Sequence, residues 1–489
     1  MQHRGDVQGL RAVAIFGVLL FHFYPEAFPN GFLGVDIFFV ISGYLILMIL
    51  ARSVEKTGGV TTSLVFNFYY RRVKRILPLH LAYCVAAILV FCVMASPMII
   101  SESRMSAIYA LTFTTNIRSL FEKNDYFERI LDENLFTHIW SLSVEMQFYV
   151  IVPFFFVIRS AARPGSALLL LPTVSVLSLV FYVQTPPLIG FNVPIARLWQ
   201  FFAVSLFETK LREAAAASSD SDRERLLVEA EEGKGENRAV RLSPFAAVGQ
   251  IAYLIALVLL SLPFYTTKLP PAAARIAVTY ATAVLIAFGA DTPLARWLSA
   301  RPLAFIGDVS YSLYLIHWPF SVYLVRDHAA LSAARLSAIP MSIALTVVVY
   351  YVYERHYREW SKERIGWSCG LLLALAALGL AVAPTLNDRL HRVDMTIEEA
   401  IKKNIEMFSN PNENIMIKEC TYKYWQNMTE ATPAHVGHIV KPFGICEMPP
   451  GTGKLRFAVI GNSYAPNQAD LVWKHFKPFF SSFTLFSQC

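Results

Sequence analysis

Charge is scarce in this chain. Only 16% of its 489 residues are charged, against 55% hydrophobic, and the mean hydropathy is +0.44. Such a composition excludes an ordinary soluble domain. Many runs approach the roughly 20 apolar residues that cross a bilayer, so the chain reads as a polytopic membrane protein. The net charge of +7 is small. Basic residues gather beside the hydrophobic runs, which points to membrane topology rather than nucleic acid. The first apolar segment lacks a small-residue cleavage site and carries Arg11, so it reads as a retained anchor and not a signal peptide. Cysteine is sparse too, with six residues. Cys84, Cys92 and Cys369 lie in apolar runs and are expected to be inert. Cys420, Cys446 and Cys489 lie in a polar tail, where two can pair if the tail is outside the cytosol. No internal repeat is evident.

Eleven spans are expected, near 8–24, 33–51, 76–97, 138–158, 167–184, 188–207, 245–262, 272–291, 308–325, 336–353 and 366–384. Arg52, Lys56, Arg71, Arg72, Lys74 and Arg75 follow the second, and Arg159 and Arg163 the fourth. Arg296 and Arg301 follow the eighth, and Arg355, Arg358, Lys362 and Arg364 the tenth. A cytosolic N-terminus makes all four groups cytosolic, as the positive-inside rule asks. The tail from about Pro384 is then lumenal or extracellular, at the endoplasmic reticulum or plasma membrane. The sequon Asn427-Met428-Thr429 agrees with that side. Residues 98–137 are too polar for a span and are expected as a lumenal or re-entrant helix. Residues 208–244 are polar and mixed in charge, and read as a loose cytosolic loop without catalytic part.

An ionisable residue inside a span is costly and is a functional candidate by default. Arg11 and His22 share the first span. Eleven residues of helix advance about 16 Å and return to within about 20° of the same face. One helix thus carries a cation toward one membrane surface and an imidazole well into the bilayer. The plain alternative is that both snorkel at helix ends. In FYYRRVKRILP, a loop before the third span, Arg71, Arg72 and Arg75 suit bidentate phosphate binding, as in a nucleotide cosubstrate such as coenzyme A. The alternative is a purely topogenic cluster. In THIWSLSVEMQFY, helical spacing aligns His138, Ser141, Glu145 and Tyr149. Glu145 either titrates or holds another buried polar group. In GDVSYSLYLIHWPF, Ser310, Tyr314 and His317 share a face, and Trp318 suits a membrane-interface position. Asp36 begins the second span. Four ionisable groups from four spans, His22, Asp36, Glu145 and His317, are therefore expected at one depth near the lumenal end.

These motifs together resemble membrane acyltransferase family 3, the O-acyltransferases that modify sugars and other acceptors across a membrane. The resemblance covers about residues 5–360. It rests on LRAVAIFGVLLFH, FLGVDIFFVISGYLI, RRVKRILP, HIWSLSVEMQFY and VSYSLYLIHWP, in that order. FHFYPEAFPNGFLGVD looks more like the nematode-type branch than the bacterial one. The resemblance implies an all-α polytopic protein with a ten-helix acyltransferase core over residues 1–360. It implies a cytosolic acyl donor, with acyl-CoA as cosubstrate, no tightly bound cofactor and no metal. By resemblance His22 is the essential imidazole and Arg11 its partner, and Arg72 with Arg75 faces the donor. Asp36, Glu145 and His317 are left as groups that orient His22 or stabilise charge. His22 itself is left as either general base or acyl carrier.

Many members add an eleventh span, here 361–385, and an extracytoplasmic SGNH-type α/β domain. Residues 386–450 are expected as an extracytoplasmic linker and 451–489 as the start of such a domain. LRFAVIGNSYAPNQAD reads as a strand, a tight Gly461-Asn462-Ser463 turn and a helix, presenting Ser463 as nucleophile. Asn462 stands where the motif usually has Asp. Only 26 residues follow Ser463, so the SGNH-like segment is expected to be incomplete, the chain a fragment or an incomplete gene model, and Ser463 catalytic only in a complete domain. The expected partners are acyl-CoA, a hydroxyl-bearing acceptor such as a carbohydrate or lipid, and the bilayer. The competing readings are a proton-coupled membrane transporter, since buried His, Glu and Asp also build proton relays, and a catalytically inactive receptor-like homologue.

Overall fold

Apolar runs rich in Leu, Ile, Val, Phe and Ala satisfy every backbone group internally only as helices when lipid surrounds them. Such helices dominate the computed structural model. It describes residues 4–94, 100–121, 134–207, 253–288, 292–325, 333–391, 421–423, 444–461, 472–473 and 476–487. The chain divides into two units, Met1–His391 and Arg392–Cys489.

The helices that matter to the site are α1 (Gly5–Phe23), α2 (Leu33–Thr57), α3 (Thr62–Met94), α4 (Ile100–Leu111) and α5 (Trp140–Ala161). They continue with α6 (Pro164–Gln184), α7 (Pro271–Phe288), α8 (Ser310–Phe320), α9 (Ala333–Val349) and α10 (Lys362–His391). Among the described residues, eight helices are long and apolar enough to cross a membrane: α1, α2, α3, α5, α6, α7, α10 and the stretch Arg335–Tyr357 that includes most of α9. Phe154, Val157, Leu169, Leu177, Leu371 and Leu378 on α5, α6 and α10 face outward. A helix apolar on its outer face belongs in lipid.

Two of the eleven expected spans depart from single long helices. The stretch 188–207 breaks into Pro187–Asn192, a 3-10 turn Pro194–Arg197, the helix Leu198–Phe202 and a second 3-10 turn. Pro194 cannot continue the helix before it. The stretch 308–325 is an eleven-residue helix, α8, that widens into a π turn over Ser321–Val325 just after Pro319. Of 245–262, only the part within the short apolar helix Tyr253–Phe264 is described. The basic run expected as a loop before the third span lies inside the 33-residue α3. Arg and Lys are good helix formers, and nothing between Thr62 and Pro78 breaks the turn pattern. In 98–137, α4 has 12 residues and is too short to span. The 208–244 loop and the Asn427 sequon lie outside the described residues.

Glycines let the site-bearing helices approach closely. A Cβ at Gly34 of α2 would collide with the Ala14 carbonyl of α1, and one at Gly43 with the Phe201 carbonyl. Small residues at such crossings are the usual device of membrane helix packing. The end of α1 is held by Arg335. Its Nε donates to the Phe23 carbonyl at 2.7 Å, and its Nη2 pairs with Glu26 at 2.7 Å. A cation there suits the negative end of the helix dipole. Cys84, Cys92 and Cys369 are buried and free, as their apolar context implies.

The second unit holds a four-stranded sheet of β1 (Thr421–Lys423), β2 (Gly444–Met448), β3 (Leu455–Gly461) and β4 (Phe480–Ser487), in the order β1-β2-β4-β3. β3 and β4 are parallel, while the other two pairings are antiparallel. Met448, Trp473, Phe480, Phe483 and Leu485 form its core. The strand expected at LRFAVIG is β3. Asn462, Ser463, Cys420 and Cys489 lie outside the described residues, and nothing is described of the Cys446 side chain.

Candidate active site

Arg11 and His22 occupy two ends of α1, and the structure builds a different polar site at each. At the Arg11 end a cavity of about 90 Å³ opens between α1, α2, α3, α5 and α8. Arg11, Arg72 and Arg75 line it together with Ser42, Glu145 and Tyr149. Arg11 is buried and, among the described residues, reaches only the Gln8 amide oxygen, at 3.5 Å. The Arg72 guanidinium lies 6.0 Å from the ring centres of both Phe68 and Tyr149, and its Nε has no hydrogen-bond partner among the described residues. None of the three arginines makes an ion pair among the described residues. Glu145 is instead held by hydroxyls: Ser42 Oγ donates to Oε1 at 2.5 Å, and Tyr149 donates to the same oxygen. Three guanidiniums facing one carboxylate make this cavity an anion site with spare donors.

Arg71 does not join them. It is exposed and absent from the cavity wall. One helical residue turns about 100°, so Arg72 and Arg75 share a face that Arg71 cannot. Lys74 is engaged elsewhere, donating to the Trp360 carbonyl at 2.6 Å.

At the other end, His22 Nδ1 and His317 Nε2 lie 2.8 Å apart, with rings stacked at 5.1 Å. The protons follow from the neighbours. His317 Nδ1 lies 3.1 Å from the Leu313 carbonyl, which only accepts. Nδ1 therefore carries the hydrogen, and Nε2 of a neutral His317 is an acceptor. His22 then donates from Nδ1, and its Nε2 is left with a free lone pair. That is the form needed by a general base or a nucleophile. His22 also lines a chamber of about 10 Å³ with Asp36, Trp140, Phe191 and Arg275. That volume has room for about one water molecule.

A third imidazole completes the cluster. His138 is fully buried, with its ring 5.9 Å from His317 and stacked on Trp318 at 5.2 Å. Neither of its ring nitrogens has a partner among the described residues. Trp318, read from the sequence as suited to a membrane interface, packs inside the helix bundle. It is wholly buried, with its ring edge-on to His22 and its Nε1 donating to the Asn134 carbonyl at 2.9 Å. No metal-binding group of three or more His, Cys, Asp or Glu occurs among the described residues.

Of the four ionisable groups expected at one depth, the structure brings three together. His22 and His317 touch, and Asp36 shares the chamber. Glu145 lies in the arginine cavity. It follows His138 by seven residues, about 10 Å along the axis, which carries it away from the histidines. The Ser141–Glu145–Tyr149 and Ser310–Tyr314–His317 faces are as spaced. Ser141 Oγ and Tyr314 OH meet at 2.6 Å, and Tyr314 OH donates to the His138 carbonyl at 2.6 Å, between the two polar sites.

Sequence reasoning missed Arg197 and Arg275. Arg197, fully buried, donates to Asp36 at 3.2 Å, and Gln200 donates to the same carboxylate oxygen at 2.5 Å. The signal was present: each is a cation inside an apolar run, as Arg11 is.

The chain is 29% identical to the O-acetyltransferase OatA of Staphylococcus aureus strain NCTC 8325 / PS 47 over 326 residues, 65% of this chain and 50% of that protein. It is 33% identical to a putative O-acetyltransferase of Staphylococcus aureus strain MSSA476 over 159 residues, 31% of this chain and 24% of the relative. The chain thus spans about half the length, or less, of these curated relatives. No solved structure matches it significantly. The model of the acyltransferase domain, however, matches residues 4–355, well over half the chain. On that match, the chain belongs to membrane acyltransferase family 3.

Proposed function

We propose that the protein is an integral membrane O-acyltransferase. It moves a short acyl group, acetyl foremost, from cytosolic acyl-CoA to a hydroxyl acceptor on the lumenal or extracellular side. The observation that carries this reading is the division of polar groups along α1: an arginine cavity at one end and a histidine pair in a small chamber at the other. Arg72 and Arg75, with Arg11 behind them, suit the phosphates of the donor. The thioester then reaches toward His22. The Nε2 lone pair takes the acceptor proton or carries the acyl group, while His317 fixes the tautomer. Acetyl is favoured by the activity named for the relatives. The topology is the one the basic loops ask for, with a cytosolic N-terminus and an extracytoplasmic tail.

We read the tail as the start of an SGNH-like domain, supported by the parallel β3–β4 pair directly before Gly461. The nematode-type branch is supported by the wording of the first fifty residues.

The test is thiol release by the purified protein in detergent with acetyl-, butyryl- and octanoyl-CoA. Forcing extra methylenes into a packed site costs about 1–3 kcal/mol. Acetyl-CoA should therefore exceed butyryl-CoA in kcat/KM by about tenfold or more. An octanoyl preference would remove the chamber from the reading. No thiol release from any donor would remove acyl-CoA.

A further inference from the structure

Arg275 of α7 faces the same chamber as His22. It is 4% exposed. Its Nε stands 3.9 Å from Asp36 Oδ2, beyond hydrogen-bond range, and has no hydrogen-bond partner among the described residues. Aromatic rings flank the guanidinium, Phe32 at 5.1 Å and Phe191 at 4.9 Å. Asp36 is already committed through its other oxygen to Arg197 and Gln200. Two guanidiniums share one carboxylate, so among the described residues one positive charge stands uncompensated in a largely apolar place. Keeping such a charge is costly unless something negative meets it. Arg197 does not line the chamber, so Arg275 is the one that meets it.

We propose that Arg275 is a catalytic residue, the electrostatic donor to the oxyanion that forms when His22 acts. This rests on the acyl-transfer reading. The acceptor O–H gives its proton to His22 Nε2 as its oxygen bonds to the thioester carbonyl carbon. The carbonyl π pair moves onto oxygen, beside the Arg275 guanidinium. Collapse re-forms the carbonyl and breaks the C–S bond, and the proton held by His22 leaves with the thiolate as free coenzyme A thiol. The chamber is about 10 Å³. His22 and Arg275 both line it, so the imidazole and the guanidinium border one space. A fixed charge aimed where charge develops is the strongest form of such assistance.

The experiment compares Arg275→Gln, Arg275→Lys and Arg275→Gln with Asp36→Asn in the purified full chain, following thiol release from acetyl-CoA with water as the acceptor O–H. Removing one oxyanion donor costs on the order of 10²–10³ in kcat. Arg275→Gln should lose that much, with KM for acetyl-CoA unchanged. Arg275→Lys should recover part of the rate. The double variant should recover none, although its carboxylate is gone. If Arg275 serves only to neutralise Asp36, the double variant returns toward wild type, and the proposal fails. It fails equally if Arg275→Gln keeps kcat within a few-fold. If Arg275→Gln does not fold, the decision rests on Arg275→Lys and the double variant: a kcat loss at unchanged KM supports the proposal, and full turnover by either overturns it. A wild-type protein without His22-dependent thiol release would sink the acyl-transfer reading itself. Full turnover by Arg275→Gln in an otherwise working enzyme would sink only the oxyanion role.

Discussion

His22→Ala should reduce thiol release from acetyl-CoA to background while the protein still inserts and folds. A positioned general base contributes on the order of 10²–10⁴ in rate, and an acyl carrier cannot be dispensed with at all. Folding should survive because α1 is held by contacts that do not involve the imidazole, namely Gly34 against Ala14 and Arg335 on the Phe23 carbonyl. His317→Gln should fall between the two. The imidazole of His22 stays, but the acceptor at 2.8 Å that fixes its tautomer is replaced by a flexible amide. Its kcat should drop with KM for the donor unchanged. The measurements are thiol release kinetics beside thermal unfolding in detergent. Wild-type turnover by a folded His22→Ala protein would contradict the mechanism, and it would favour a carrier role for the buried imidazoles.

The second large effect is on donor affinity. Arg72→Ala combined with Arg75→Ala should weaken acetyl-CoA binding far more than it slows saturated turnover. A hydrogen bond to a charged group is worth about 1.5–3 kcal/mol. Two together are worth about 3–6 kcal/mol, or roughly 10²–10⁴ in dissociation constant. Arg71→Ala is the internal control. It carries the same charge in the same run but is exposed and off the cavity wall, so its effect should be within about twofold, as surface charges are screened by salt. Equal effects of all three positions on membrane orientation, with none on donor affinity, would return the run to a topogenic role.

Some of this was legible in the chain because burial in lipid makes charge conspicuous. Arg11, His22 and His317 stand out in apolar runs, and helical spacing alone put Ser141 with Glu145 and Ser310 with Tyr314. The depth of Glu145 was not legible, because it depends on where α5 starts. The structure starts it around the histidines, at the Thr137–Ile139 turn. The division of Arg71 from Arg72 and Arg75 needed the helix to run through a segment that charge alone marks as loop. Arg197 and Arg275 escaped because basic residues were read as topology signals, which holds at span ends and fails inside them. The break at Pro194 shows the limit of apolar content as evidence for a span. Chain direction there is set by where Arg197 and Gln200 must reach Asp36, a long-range pairing that no local pattern displays.

The most direct test of the central claim, a donor grip and a reaction chamber at opposite ends of α1, is sided. The protein is placed in sealed proteoliposomes, and the face bearing the α2–α3 turn is identified by labelling Lys56→Cys with a membrane-impermeant maleimide. Acetyl-CoA is then added to one side only. Thiol release should occur when the donor is on the Lys56 face, nearest Arg72 and Arg75, and should vanish in His22→Ala. Release only from donor on the opposite face would contradict the account.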